Sequence, residues 1–158
     1  MAKVKAIPEG YHSVTPYLFI KGAASAIDYY KNVFGAKERV RMPGPNDRVM
    51  HAELEIGDSI IMLADENPQA GTTSPQTAGG ASNSLHLYVE DVDTVTQKAV
   101  SGGAKLVRPV KDEFYGDRIA TISDPFGQIW SIATHIEDVS PEEMKNRMAK
   151  AMSHASNG

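Results

Sequence analysis

The sequence contains no cysteine, which excludes disulfides, thiolate zinc sites and cysteine nucleophiles and leaves any metal to five histidines and the carboxylates. It has no apolar run approaching the roughly 18 residues that span a bilayer. Its first residues, MAKVKAIPEGYHS, lack the apolar core of a signal peptide. A cytoplasmic protein with no membrane partner is therefore expected. No cluster of Lys and Arg is present and the net charge is −4, so no nucleic-acid partner is expected. A Gly-rich phosphate loop, a nucleophile elbow, a His-Glu-x-x-His zinc helix and a calcium loop are all missing. What remains is a chain of 158 residues, 41% hydrophobic and 23% charged, which suits one globular domain over 1–158 with a small organic molecule as partner.

The chain repeats itself. The stretch from Tyr17-Leu-Phe-Ile to Gly35-Ala-Lys lies against that from His86-Leu-Tyr-Val to Gly103-Ala-Lys, and each reads as strand, turn, amphipathic helix and a second strand. In both, a Gly past the helix can take the left-handed conformation that ends it. Ile60-Ile-Met-Leu63 and Ile129-Trp-Ser-Ile132 then fall at matching positions. Repeat one, about 13–66, is expected to hold strands near 14–20, 36–42, 48–56 and 59–65 and a helix near 23–34, with Gly57-Asp58 as a hairpin turn. Repeat two, about 82–135, is expected to hold strands near 83–89, 105–108, 117–123 and 128–134 and a helix near 91–102, with Asp124-Pro-Phe-Gly127 as the turn. The linker, about 67–81, is rich in Pro, Gly, Ser and Thr and reads as a mobile surface connection or a lid. Ser140-Pro-Glu-Glu143 opens a C-terminal helix over about 140–153. Its Met144, Met148 and Met152 stripe would dock on the chain's own core, the preferred reading, or on a second subunit.

Within this order of elements, Ala26-Ile-Asp-Tyr-Tyr-Lys-Asn-Val-Phe-Gly-Ala36 and Ser123-Asp-Pro-Phe-Gly-Gln-Ile-Trp130 resemble the vicinal oxygen chelate superfamily of glyoxalase I, extradiol dioxygenases and the bleomycin and fosfomycin resistance proteins. Pro16-Tyr-Leu-Phe, Met50-His-Ala-Glu53, Ile60-Ile-Met-Leu-Ala-Asp65 and Tyr115-Gly-Asp-Arg118 are similar to its PhnB-like branch, and the resemblance spans about residues 14–140. It implies an α+β fold in which two βαβββ repeats form a cup-shaped mixed β-sheet with helices on the outside. In the metal-dependent members four inward strand residues, usually His, Gln or Glu, grip one divalent ion. Carried over by strand position, those places fall at Thr15, Met62, Ser84 and Ser131, and hydroxyls and a thioether bind such ions weakly. No cofactor is expected at that set.

Strand alternation separates an apolar face, Ala52, Leu54 and Ile56 with Leu85, Leu87 and Val89, from a polar one, His51, Glu53 and Glu55 with Ser84, His86 and Tyr88. His51 and Glu53 are candidate acid/base residues, since an imidazole beside a carboxylate can be tuned near neutral pH. The alternative joins His51, Glu53 and His86 as ligands of one divalent metal ion, the set of a facial triad. Tyr17, Phe19, Met62, His86 and Tyr88 are candidate ligand-binding residues that offer stacking surfaces. Arg118 would clamp an anion, or else pair with Asp117 or Glu53. Trp130 reads as core, and Arg39, Arg41 and Arg48 as a solvated loop that an anionic ligand could use. These residues favour a small-molecule binding protein of the bleomycin resistance type without the usual metal, as a homodimer or a monomer. The alternatives are a metal-dependent lyase, isomerase or dioxygenase and a decayed scaffold that binds only a partner.

Overall fold

Residues 3–156 are described by a computed structural model. Each repeat begins with a short strand and a helix: β1 (Tyr17–Ile20) and α1 (Ala23–Phe34) in the first, β5 (Ser84–Tyr88) and α3 (Val92–Ser101) in the second. Three further strands complete each repeat, β2 (Lys37–Pro43), β3 (Val49–Ile56) and β4 (Ser59–Asp65), then β6 (Lys105–Asp112), β7 (Asp117–Ser123) and β8 (Ile129–His135). The hydrogen bonding gives two four-stranded mixed sheets rather than one continuous sheet, in the orders β1-β4-β3-β2 and β5-β8-β7-β6. In both the first strand runs parallel to the last and the remaining pairs are antiparallel. This is the α+β glyoxalase/bleomycin resistance fold. The chain divides into two compact units between Ser82 and Asn83.

In the first unit α1 buries Ala23, Ala26, Ile27, Tyr30 and Val33, one stripe of the helix, against the sheet face that carries Leu18, Ala52, Leu54 and Leu63. Burying a side chain such as Ile27, Leu54 or Leu63 contributes about 1.5–3 kcal/mol. The helix start has no cap of its own. Asp65, at the end of β4, accepts from the N–H groups of Gly22 and Ala23 at 3.0 Å each and from that of Val49 at 2.7 Å. At the matching position of the second unit, Thr134 accepts from Val92 N–H at 3.0 Å and donates to the Val89 carbonyl at 2.9 Å. Each helix is thereby tied to the strand that pairs with its own leading strand. Trp130 is buried, and its indole N–H donates to Asp124 in the β7–β8 turn at 2.9 Å.

Three expectations are corrected. The linker is folded rather than loose: a 3-10 turn spans Pro68–Ala70, and α2 (Pro75–Ala78) is capped by the fully buried Ser74. Glu66 clamps the segment by accepting from Ser74 N–H and the Thr77 hydroxyl, both at 2.7 Å. Strand β6 runs on to Asp112, past the expected end at 108, because as an edge strand it tolerates Pro109 and two register shifts. In α4 (Pro141–Ala155) Met144 is half-buried, but Met148 and Met152 are exposed, so the stripe does not dock on the chain's own core. The helix is held by Arg147, which donates to Glu137 at 2.7 and 2.8 Å, to Glu143 at 3.0 Å and to the Phe114 carbonyl at 3.2 Å. Among the described residues no helix is long and apolar enough to cross a membrane.

Candidate functional site

The polar face of the first sheet is organised by one cross-strand row. Tyr17 lies opposite Met62, Met62 opposite Glu53, and Glu53 opposite Val40. Because alternation along β3 puts His51 on the face of Glu53, the three predicted polar residues meet. The Tyr17 hydroxyl lies 2.8 Å from His51 Nδ1, and His51 Nε2 lies 3.1 Å from Glu53 Oε1. Tyr11, which carries no periodic signal in its irregular segment, adds a fourth member by donating its hydroxyl to Glu53. The Arg39 guanidinium sits 5.8 Å over the Tyr11 ring.

Burial pushes the Glu53 carboxyl up, but the hydrogen bonds from Tyr11 and His51 and the charges of His51 and Arg39 outweigh it, so the group lies below the usual carboxylate range. Desolvation and the Glu53 charge raise the Tyr17 phenol, which keeps its proton. Because an ionised carboxylate only accepts, His51 Nε2 donates to Glu53, and Nδ1 faces the Tyr17 hydroxyl. The array can pass a proton between Tyr17 and Glu53 through the ring. Both ring nitrogens are already engaged. Beside it, Phe19 packs on Tyr17 with ring centroids 5.2 Å apart, and the two rings with Met50 wall a cleft of about 260 Å³.

The second sheet carries a matching row of different chemistry. His86 lies opposite Ser131, Ser131 opposite Thr121, and Thr121 opposite Arg108. All four line a cleft of about 530 Å³, which Tyr115 and Ile119 also line. Next to it, the exposed Tyr88 ring lies 4.9 Å from the His86 ring, and its hydroxyl donates to the buried Asp117 at 2.8 Å. Asp117 also meets His135 Nδ1 at 2.7 Å, while His135 Nε2 reaches Asp138 at 2.8 Å. Burial raises the Asp117 carboxyl, and the bonds from His135 and Tyr88 with the charges of His135 and His86 bring it below its ordinary value. The left-handed Gly116 lets the chain turn into Asp117; a side chain there would meet the Glu137 carbonyl.

The structure therefore joins Tyr17, Phe19, His51, Glu53 and Met62 in the first unit and His86 and Tyr88 in the second. Arg118 does not pair with Asp117 or Glu53. Its guanidinium donates twice to Asp93 and once to Asp112, all at 2.8 Å, a strut from β7 to α3 and β6. For the metal alternative, His51 and Glu53 are neighbours but already bonded, and His86 belongs to the second unit. Among the described residues no three His, Asp or Glu side chains gather in a set that could hold a metal ion. The four positions carried over from the superfamily, Thr15, Met62, Ser84 and Ser131, supply hydroxyls and a thioether, which do not fit a divalent ion. Sequence reasoning missed Tyr11, Arg108, Thr121 and His135, and gave Asp117 only as a possible partner of Arg118. Only Thr121 carried a signal, as the repeat partner of Glu53.

The chain matches the family described as Glyoxalase/Bleomycin resistance protein/Dioxygenase superfamily over residues 10–132. It is 37% identical over 140 residues to the Mycobacterium tuberculosis protein Rv0887c, covering 87% of this chain and 82% of that one. The crystal structure of TioX from Micromonospora sp. ML1 is similar with a TM-score of 0.62 at 23% identity, over 82% of this chain and 100% of TioX. A PhnB protein from Bacillus cereus is similar with a TM-score of 0.61 at 18% identity, over 78% of this chain and 99% of that one. Two sheets of matching topology, the repeated helix ties and the match across 10–132 lead to one assignment: the chain belongs to the glyoxalase/bleomycin resistance protein/dioxygenase superfamily.

Proposed function

We propose that this member of the superfamily binds a small organic molecule without a metal ion and breaks no bond in it. The observation that carries the reading is the cleft of about 530 Å³ on the second sheet, a volume in the range of small-molecule sites, lined by polar side chains that make no hydrogen bond to any described residue. The Tyr17, His51 and Glu53 array has its internal hydrogen bonds satisfied, which suits a fixed polar surface better than a set of vacant metal ligands. We further propose that the protein acts in the cytoplasm as a homodimer, the exposed Met148 and Met152 of α4 being available to a second subunit. Light scattering would then read twice the chain mass.

The test is elemental analysis of chelator-free protein, then titration with Mn, Fe, Co, Ni and Zn in wild type and His51→Ala. Methyl NMR at Ile119 and Thr121 during a screen of aromatic metabolites completes it. Saturable shifts at these methyls with no metal above background are expected. Near-stoichiometric metal that disappears with His51 would instead establish the lyase, isomerase or dioxygenase reading.

A further inference from the structure

We propose that the cleft of the second unit recognises the oxyanion of its ligand, a carboxylate or phosphate on a compact organic body, with Arg108 as the counter-ion. This rests on the cleft being the ligand site and names the class of ligand. The chain has six arginines, and five are committed. Arg39 pairs with Glu55 at 3.5 Å, Arg41 with Glu38 at 2.9 Å, Arg48 donates to the Glu66 carbonyl, Arg118 holds Asp93 and Asp112, and Arg147 holds Glu137 and Glu143. Arg108 alone makes no hydrogen bond or ion pair with any described residue, and it lines the cleft. A guanidinium carries five N–H donors in a planar fork that matches a carboxylate or phosphate.

The rest of the row completes an oxyanion cradle. Thr121 lies directly opposite Arg108 and Ser131 opposite Thr121, so two hydroxyls that bond to no described residue follow the guanidinium across the sheet, with His86 next in the row. Neighbouring strands stand about 4.8 Å apart. An oxyanion bound by Arg108 would thus reach the Thr121 hydroxyl, and a larger phosphate both hydroxyls. The charge around the cleft favours an anion: Arg108 and Lys111 line it against one carboxylate, Glu113, which Lys111 approaches to 4.0 Å. Asp117 does not line the cleft and is already bonded to Tyr88 and His135. Tyr115, Ile119 and Pro109 supply apolar wall for the ligand's body. In the first unit the row places Glu53 where Thr121 stands and Val40 where Arg108 stands, so the matching row offers an anion no guanidinium.

The experiment follows the cleft methyls of the full-length protein by NMR while benzoate, phenyl phosphate and the neutral benzyl alcohol are titrated into wild type, Arg108→Gln, Arg108→Lys and Thr121→Val. Arg108 has no side-chain bond to a described residue to lose, so its variants are expected to keep the wild-type Tm. One charged hydrogen-bonded contact corresponds to roughly a tenfold to hundredfold change in affinity. Phenyl phosphate or benzoate is expected to bind at least tenfold tighter than benzyl alcohol, to lose that margin in Arg108→Gln, to recover part of it in Arg108→Lys and to be displaced by inorganic phosphate. The two anions separate a phosphate from a carboxylate preference. Equal binding of anions and benzyl alcohol, untouched by Arg108→Gln, would overturn the oxyanion assignment and leave the cleft as a ligand site. Absence of any shift at Ile119 and Thr121 with every probe and every screened metabolite would remove both.

Discussion

Across the first sheet the row Tyr17, Met62, Glu53, Val40 presents a carboxylate already bonded to Tyr11 and His51; across the second, the row His86, Ser131, Thr121, Arg108 presents four polar side chains that hydrogen-bond to no described residue. The backbones agree strand for strand. The difference lies in side chains at equal register, and it divides the roles. Glu53 is buried and its bonds are internal, so it stabilises its unit, whereas His86 and Arg108 are exposed and Thr121 and Ser131 half-buried, so their open bonds face solvent and are available to a ligand. Repetition of the scaffold therefore does not repeat the site.

The comparison is tested most strongly by removing the paired positions. Glu53→Ala strips the acceptor from Tyr11 and His51 and is expected to destabilise the first unit by about 1–3 kcal/mol. Thr121→Val is nearly isosteric, breaks no side-chain bond to a described residue and is expected to stay within about 0.5 kcal/mol. Native-state hydrogen exchange, read separately in β3–β4 and β7–β8, distinguishes the two units. Equal losses of protection would mean that the second row is structural as well. A smaller contrast lies at the helix ties. Asp65→Ala releases three N–H groups and is expected to cost about 1–2 kcal/mol, read as faster exchange in α1, while Thr134→Val releases one and is expected to cost about 1 kcal/mol in α3. Reversal of that order would show that the charge of Asp65 does not aid the helix start.

Much of this plan was legible in the residues. The helix at 23–34 and the strands at 59–65 and 117–123 have the expected bounds, since hydrophobic period and turn chemistry agree there. Alternation alone brought His51 to Glu53 and pointed Tyr17 to the same face. Arg108 was hidden because Pro109 and two register shifts break the alternation of β6, so the strand seemed to end where its key residue stands. Tyr11 was hidden because an irregular segment has no period from which to read direction. The partners of Arg118 were misjudged for a similar reason: Asp93 is 25 positions away on α3, a proximity created by packing and absent from local pattern.

The smallest expected effect concerns pH, and it again separates the units. The hydrogen bond to Asp117, then that to Asp138, raises the His135 imidazole above its ordinary value, while Asp117 and Glu53 both lie below theirs. A raised histidine stabilises fully below its unfolded value of about 6.5 and ceases to do so as pH rises through its folded value. Lowered carboxylates contribute above their unfolded range near pH 4 and lose that contribution as pH falls through their folded values. Both units should thus weaken in acid, but only the second should also lose protection as pH rises through the histidine range, through His135. Since that imidazole is half exposed, water screens it and the amplitude is modest. After correction for intrinsic exchange, protection in β7–β8 is expected to fall between about pH 5.5 and about pH 8 while that in β3–β4 stays level. His135→Gln should flatten the second profile without touching the first. A loss over that range that survives His135→Gln would locate the titrating group elsewhere and leave the Asp117 pair without a part in stability.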